Sequence, residues 1–98
     1  MKVQIQAVNF NAETSLNDYV ERKFQKLELI YDKIVGVKVF LKLENTSEKN
    51  NKTTEIILEI PGDDIIVKKT GQSFEEGIDL SIDTLKKLII KRKEKMSA

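Results

Sequence analysis

The chain contains no cysteine and no histidine, and each absence removes a class of chemistry. Without cysteine there is no disulfide framework, no thiolate metal site and no thiol nucleophile. Without histidine the commonest general base and metal ligand is missing. Proline occurs once and glycine four times. Gly62 and Gly71 stand alone, so no glycine-rich loop is available to cradle a phosphate. No apolar run approaches the ~20 residues that cross a bilayer. Met1 to Gln6 alternates polar and apolar residues and lacks the continuous apolar segment of a signal peptide, so the expected location is the cytoplasm. A charge excess is missing too: 17 basic and 16 acidic residues leave a net +1, which by itself argues against a nucleic-acid partner.

What is present is the composition of a folded protein. Apolar residues at 40% and charged residues at 34% suit a globular chain and not a disordered tail. A length of 98 residues supports one modest core. A single domain over residues 1–98 is expected, with no C-terminal dimerisation domain.

Residues 2–8 alternate, with Val3, Ile5 and Ala7 on one face and Lys2, Gln4 and Gln6 on the other, the pattern of a half-buried strand. From Leu16 to Ile34 the apolar positions Leu16, Tyr19, Val20, Phe24, Leu27, Ile30, Tyr31 and Ile34 recur at i, i+3, i+4 and predict a long amphipathic helix, with Gly36 at its end. Residues 37–44 alternate again. A polar loop covers 45–52, and Thr54, Ile56, Leu58 and Ile60 mark a third strand. Pro61-Gly62-Asp63-Asp64 is turn chemistry, and 65–70 reads as a fourth strand. Ser73-Phe74-Glu75-Glu76 has the form of a capping box. It opens a last helix that carries Phe74, Ile78, Ile82, Leu85 and Ile89 on one face and runs to about Lys95.

The order β-α-β-β-β-α predicts an α+β fold: a four-stranded, mainly antiparallel sheet with both helices on one face, the simplest way to bury two apolar stripes. Lys2, Gln4, Gln6, Lys38, Phe40, Lys42, Glu55 and Glu59 then face water.

The near-neutral total hides sorted charge. On a wheel of ~100° per residue, Arg22, Lys26 and Lys33 share one flank of the first helix's apolar stripe, and Lys23 lies near the stripe itself. In the last helix Glu75, Glu76, Asp79 and Asp83 occupy the first half. Lys86, Lys87, Lys91, Arg92, Lys93 and Lys95 occupy the second, broken only by Glu94 among charged residues. Acids first and bases last complement the helix dipole, but that effect fades within one turn, whereas the basic block covers nearly three. Lysines gathered within a Debye length of ~10 Å make a local positive field that binds phosphate with strong salt dependence. Beyond the face it buries, the last helix is expected to lack the exposed aromatic and apolar face that interfacial helices insert into lipid, so RNA is preferred over a membrane.

Other signals have ordinary explanations. Asn45-Thr46-Ser47 and Asn51-Lys52-Thr53 match a glycosylation sequon, but no export signal accompanies them. Asp63/Asp64 and Glu75/Glu76 are turn and helix-start residues. Tyr19 and Tyr31 belong to the core stripe and do not form the aromatic sheet pattern of an RRM. Phe40 alone is placed on the open face, as a base-stacking site or a scattered surface apolar group.

Tyr19 to Glu28, Tyr31-Asp32-Lys33-Ile34, Val39 to Glu44, Gly71-Gln72 with Gly77-Ile78-Asp79, and Lys91 to Lys95, in this order and spacing, resemble the short ribosome hibernation promoting factor and ribosome-associated inhibitor family over essentially the whole chain. The resemblance implies a fold similar to a double-stranded RNA-binding domain. It also implies binding to rRNA of the small ribosomal subunit at the decoding channel, steric exclusion of mRNA and tRNA, and inhibited translation under stress or in stationary phase. By position it assigns phosphate contacts to Lys23, Lys26, Lys33, Lys42, Lys87, Lys91, Lys93 and Lys95. Arg22, Lys86 and Arg92 join them from the charge pattern. The family usually shows Asp-Met-Tyr-Ala-Ala where Ser73 to Gly77 stand, and small residues where Lys68 and Lys69 stand.

The expected protein is therefore a non-enzymatic binding domain without cofactor, metal or small-molecule substrate, monomeric when free and not attached to a membrane. A general double-stranded RNA-binding module and a protein interaction module that binds no RNA are the alternatives.

Overall fold

The computed structural model describes the backbone of residues 1–96 and the side chains of residues 1–94. The elements are β1 (Lys2–Val8), α1 (Thr14–Ile30), β2 (Gly36–Leu43), β3 (Lys52–Glu59), β4 (Ile65–Gly71) and α2 (Phe74–Met96). The strands lie in sequence order within one sheet. β1 and β2 are parallel, and the other two pairs are antiparallel. A parallel pair needs a crossover of a dozen or more residues, and α1 supplies it. β4 runs in the direction of β1 and β2, and α2 returns against it. The two helices consequently lie side by side and point the same way, with Tyr19 meeting Asp79 near their starts and Lys93 meeting Ile30 near their ends.

Strand alternation puts Val37, Val39, Leu41, Ile56, Leu58, Ile65 and Val67 under the helices, where Val20, Phe24 and Leu27 of α1 and Ile78, Ile82, Leu85 and Ile89 of α2 close the core. The opposite face is open. Across it the register forms rows: Gln4–Lys38–Ile57–Ile66, then Gln6–Phe40–Glu55–Lys68, then Val8–Lys42–Thr53–Thr70.

The Ser73 side chain caps the helix as its sequence predicts, but the returning bond of the capping box reaches Gln72 in place of Ser73. The Glu76 N–H donates to Ser73 Oγ at 3.1 Å, and the Glu76 carboxylate accepts from the Gln72 N–H at 3.4 Å. The first helix is shorter than its periodicity predicts. It ends at Ile30, and Tyr31 is extended at φ −141°, ψ 107° while its N–H still bonds the Leu27 carbonyl. Tyr31 and Ile34 remain buried because the connection folds back onto the core, which imitates one more helical turn in the apolar pattern. Gly36 is not a helix stop. It opens β2, where a Cβ would stand 3.4 Å from both the Lys2 carbonyl and the Glu59 carboxylate.

Candidate nucleic-acid interface

The parallel helices leave a groove between them lined by Lys23, Lys26 and Leu27 of α1 and Asp79, Ile82, Asp83 and Lys86 of α2. The two sides contribute different charge. Asp79 accepts the Tyr19 hydroxyl at 2.6 Å and pairs with Lys23 Nζ at 3.2 Å, and that ammonium lies 5.3 Å from the Tyr19 ring centre. The Tyr19 hydroxyl, with the Lys23 ammonium, holds the Asp79 carboxyl below its ordinary range. The same hydrogen bond to Asp79 raises the Tyr19 phenol, and the bond and charge of Asp79 raise the Lys23 ammonium. Lys23 is therefore already partnered, and a phosphate would compete with Asp79 for it. Lys26 and Lys86 form no ion pair among the described residues.

The basic half of α2 divides by direction. Lys87 and Lys91 are exposed and Lys86 is half-buried toward the groove. Arg92 turns toward the β3–β4 turn and donates from Nη1 to the Asp63 carbonyl at 2.7 Å and to the Pro61 carbonyl at 3.5 Å. Lys93 donates to the Ile30 carbonyl at 3.2 Å, with its ammonium 5.5 Å from the Tyr31 ring centre. It thus caps the negative end of α1, where a cation is favoured. The Lys95 side chain lies outside the described residues. Lys33 is exposed in the connection just after α1, and Arg22 is exposed on α1.

Lys42 stands apart. It projects on the open side of the sheet beside Val8 and Thr53, so the sheet separates it from the helical lysines. Of the residues singled out in the sequence, the structure gathers Lys23, Lys26 and Lys86 in one groove. It draws Arg92 and Lys93 into contacts that hold the fold and leaves Lys87 and Lys91 without an ion pair among the described residues. Acids do enter the groove, as Asp79 and Asp83, while the exposed Lys87 and Lys91 lie outside its lining on the far half of α2. Sequence spacing does not reveal the Arg92 and Lys93 tethers, whose acceptors are backbone carbonyls 29 and 63 positions away.

Residues 3–97 match the model of the family described as Sigma 54 modulation protein / S30EA ribosomal protein. The chain belongs to this family. It is 32% identical over 95 residues to the ribosome hibernation promoting factor of Azotobacter vinelandii, covering 97% of this chain and 85% of that one. It is also 32% identical to the ribosome hibernation promoting factor of Escherichia coli K12, covering 98% and 97% respectively. Among solved structures, the fold matches a ribosomal subunit interface protein from Coxiella burnetii with a TM-score of 0.84 at 18% identity, over 96% of this chain and 99% of that one. The N-terminal domain of Thermus thermophilus Protein Y matches with a TM-score of 0.71 at 26% identity, covering 90% and 91%. The family's description thus names a ribosomal protein, and the two curated relatives are named as ribosome hibernation promoting factors. Among the described residues no helix is long and apolar enough to cross a membrane.

Proposed function

We propose that this chain is a ribosome hibernation factor that binds rRNA of the small ribosomal subunit at the decoding channel and blocks mRNA and tRNA by occupancy. Membership in a family of hibernation promoting factors supports the ribosomal target. One structural observation carries the mode of binding: Lys26, Lys86, Lys87 and Lys91 hold no ion pair among the described residues and lie on or between two parallel helices. Phosphate contacts of this kind position a domain, and the shape of the surface it fits supplies selectivity. Nothing is turned over, so inhibition is competitive with mRNA and tRNA.

Sedimentation through sucrose with purified ribosomal subunits at two salt concentrations tests this. Co-migration with small subunits that weakens at high salt is expected, and Lys87→Glu with Lys91→Glu should abolish it. Protein that remains at the top of the gradient at low salt would overturn the reading. Binding to a plain RNA duplex as tight as to the subunit would favour a general double-stranded RNA-binding module. Ribosome association unchanged in the double variant would favour a protein interaction module.

A further inference from the structure

Five of the six aromatic side chains have structural work. Phe10 stacks on Phe74 with ring centres 4.7 Å apart and planes 9° from parallel. Tyr19 donates to Asp79, and Phe24 and Tyr31 are buried in the core. Phe40 is the exception. It sits half-buried on the open face of the sheet, on the side away from both helices, and no ring or cation contact engages it among the described residues.

Its neighbours suit a nucleotide. Gln6 lies opposite it on β1, and Gln4 lies one row along, opposite Lys38. With Ile5, Val39 and Phe40 these residues line a shallow hollow. Both glutamines are exposed, and a side-chain amide offers donors and an acceptor to a base edge. Lys38 and Lys42 flank Phe40 two residues away on either side, which puts a cation about 7 Å along the strand in each direction. Opposite Phe40 on β3 is Glu55, which repels a phosphate and leaves the β1–β2 side as the path for a backbone. Beyond, Ile57 and the 65%-exposed Ile66 pair across β3 and β4 and extend the apolar surface.

We propose that this open face is a second RNA contact, in which an unpaired base stacks on Phe40 while Lys38 and Lys42 take the flanking phosphates. The proposal rests on the reading of the chain as an RNA binder and adds a site on the side of the sheet that the helical lysines do not reach. Lys2, Lys38, Lys42 and Lys68 against Glu55 and Glu59 leave the face positive, which repels a second copy of the chain and attracts a polyanion. A single surface aromatic is unremarkable by itself. Paired amides on one side and lysines at both ends along its own strand are what assign this one to a base. Aromatic stacking of this kind tolerates any base, so the ligand class is unpaired RNA without a fixed sequence.

The chain contains no tryptophan, so Phe40→Trp places a unique fluorophore on the face. Titration of that full-length variant with a short oligouridylate should quench the tryptophan saturably. Phe40→Ala should weaken oligouridylate binding about tenfold or more with its Tm and its affinity for a plain RNA duplex unchanged. An unmoved tryptophan while anisotropy of a labelled oligouridylate reports binding would overturn the inference, as would Phe40→Ala binding at wild-type strength. A tryptophan signal that changes with protein concentration before RNA is added would also overturn it, in favour of self-association. Co-sedimentation with small subunits but no quenching removes this site alone. Quenching without ribosome association removes the proposed function and leaves the site.

Discussion

Gly77 of α2 lies directly over Thr54 of β3: a Cβ at position 77 would stand 2.5 Å from the Thr54 Oγ1 and 3.1 Å from its Cβ. A glycine inside a helix costs about 1 kcal/mol relative to alanine, and here it lets the helix approach the sheet more closely than any side chain would permit. The chain thus combines a helix glycine with a fully buried threonine whose hydroxyl has no hydrogen-bond partner among the described residues.

Gly77→Ala should therefore destabilise the fold despite its better helix propensity, because overpacking a tight contact costs about 1–3 kcal/mol. Adding Thr54→Ala should recover part of that loss, since the hydroxyl that clashes is removed. Urea denaturation of the two single variants and the double variant measures the coupling, and strict additivity would show that the two residues do not constrain each other.

Arg92→Ala should lower stability by about 1 kcal/mol through the lost bonds to the Asp63 and Pro61 carbonyls, and Arg92→Lys should recover little, because an ammonium does not reproduce the planar donor fork. Hydrogen exchange at the β3–β4 turn is the direct readout, with faster exchange at residues 62–65 expected.

Asp79→Asn should weaken the contact between the helices by about 1 kcal/mol near neutral pH. This is low for a charge-assisted bond because the carboxylate is 48% exposed. The Asp79 pKa is depressed by Tyr19 and Lys23, so its contribution is present above the ordinary carboxylate value of 3.8 and is lost as pH falls through the lower folded value. The Tyr19 and Lys23 pKa values are raised, chiefly by the bond to Asp79, so their contributions are present below 10.0 and 10.5 and are lost as pH rises through the higher folded values. The stability difference between wild type and variant should be flat between these limits and shrink beyond both. Thermal melts across the pH range check it, and a difference that changes near neutrality would refute the assignment.

Reversal of single lysines should rank by how they are already engaged. Lys87→Glu and Lys91→Glu should each reduce the salt dependence of RNA binding by about one phosphate contact. Lys23→Glu should weaken binding less through lost phosphate contact, and should also disturb Asp79. Filter binding as a function of salt gives the slope for each variant, and equal slopes for all three would contradict the ranking.

The order of elements, the face of each strand that is buried and the start of α2 were written locally. Alternation fixes which residues of 37–43 lie under the helices, and Ser73 and Glu76 lie within the few residues that a cap spans. The end of α1 was not legible, because Tyr31 and Ile34 are buried by a folded-back connection at the same spacing a helix would use. The charge pattern named the lysines, yet it gave no account of their partners.

Those partners depend on chain direction in space. The parallel pairing of β1 with β2 and the return of α2 against β4 bring the two helices alongside in one direction. Only then does Asp79 meet Tyr19 from 60 positions away, and Lys93 the end of α1 from 63. Local sequence carries propensity, periodicity and capping because these act within a few residues of the backbone. Which cation is tethered is decided by groups distant along the chain, and only the packing of the helices on the sheet brings them within hydrogen-bonding distance.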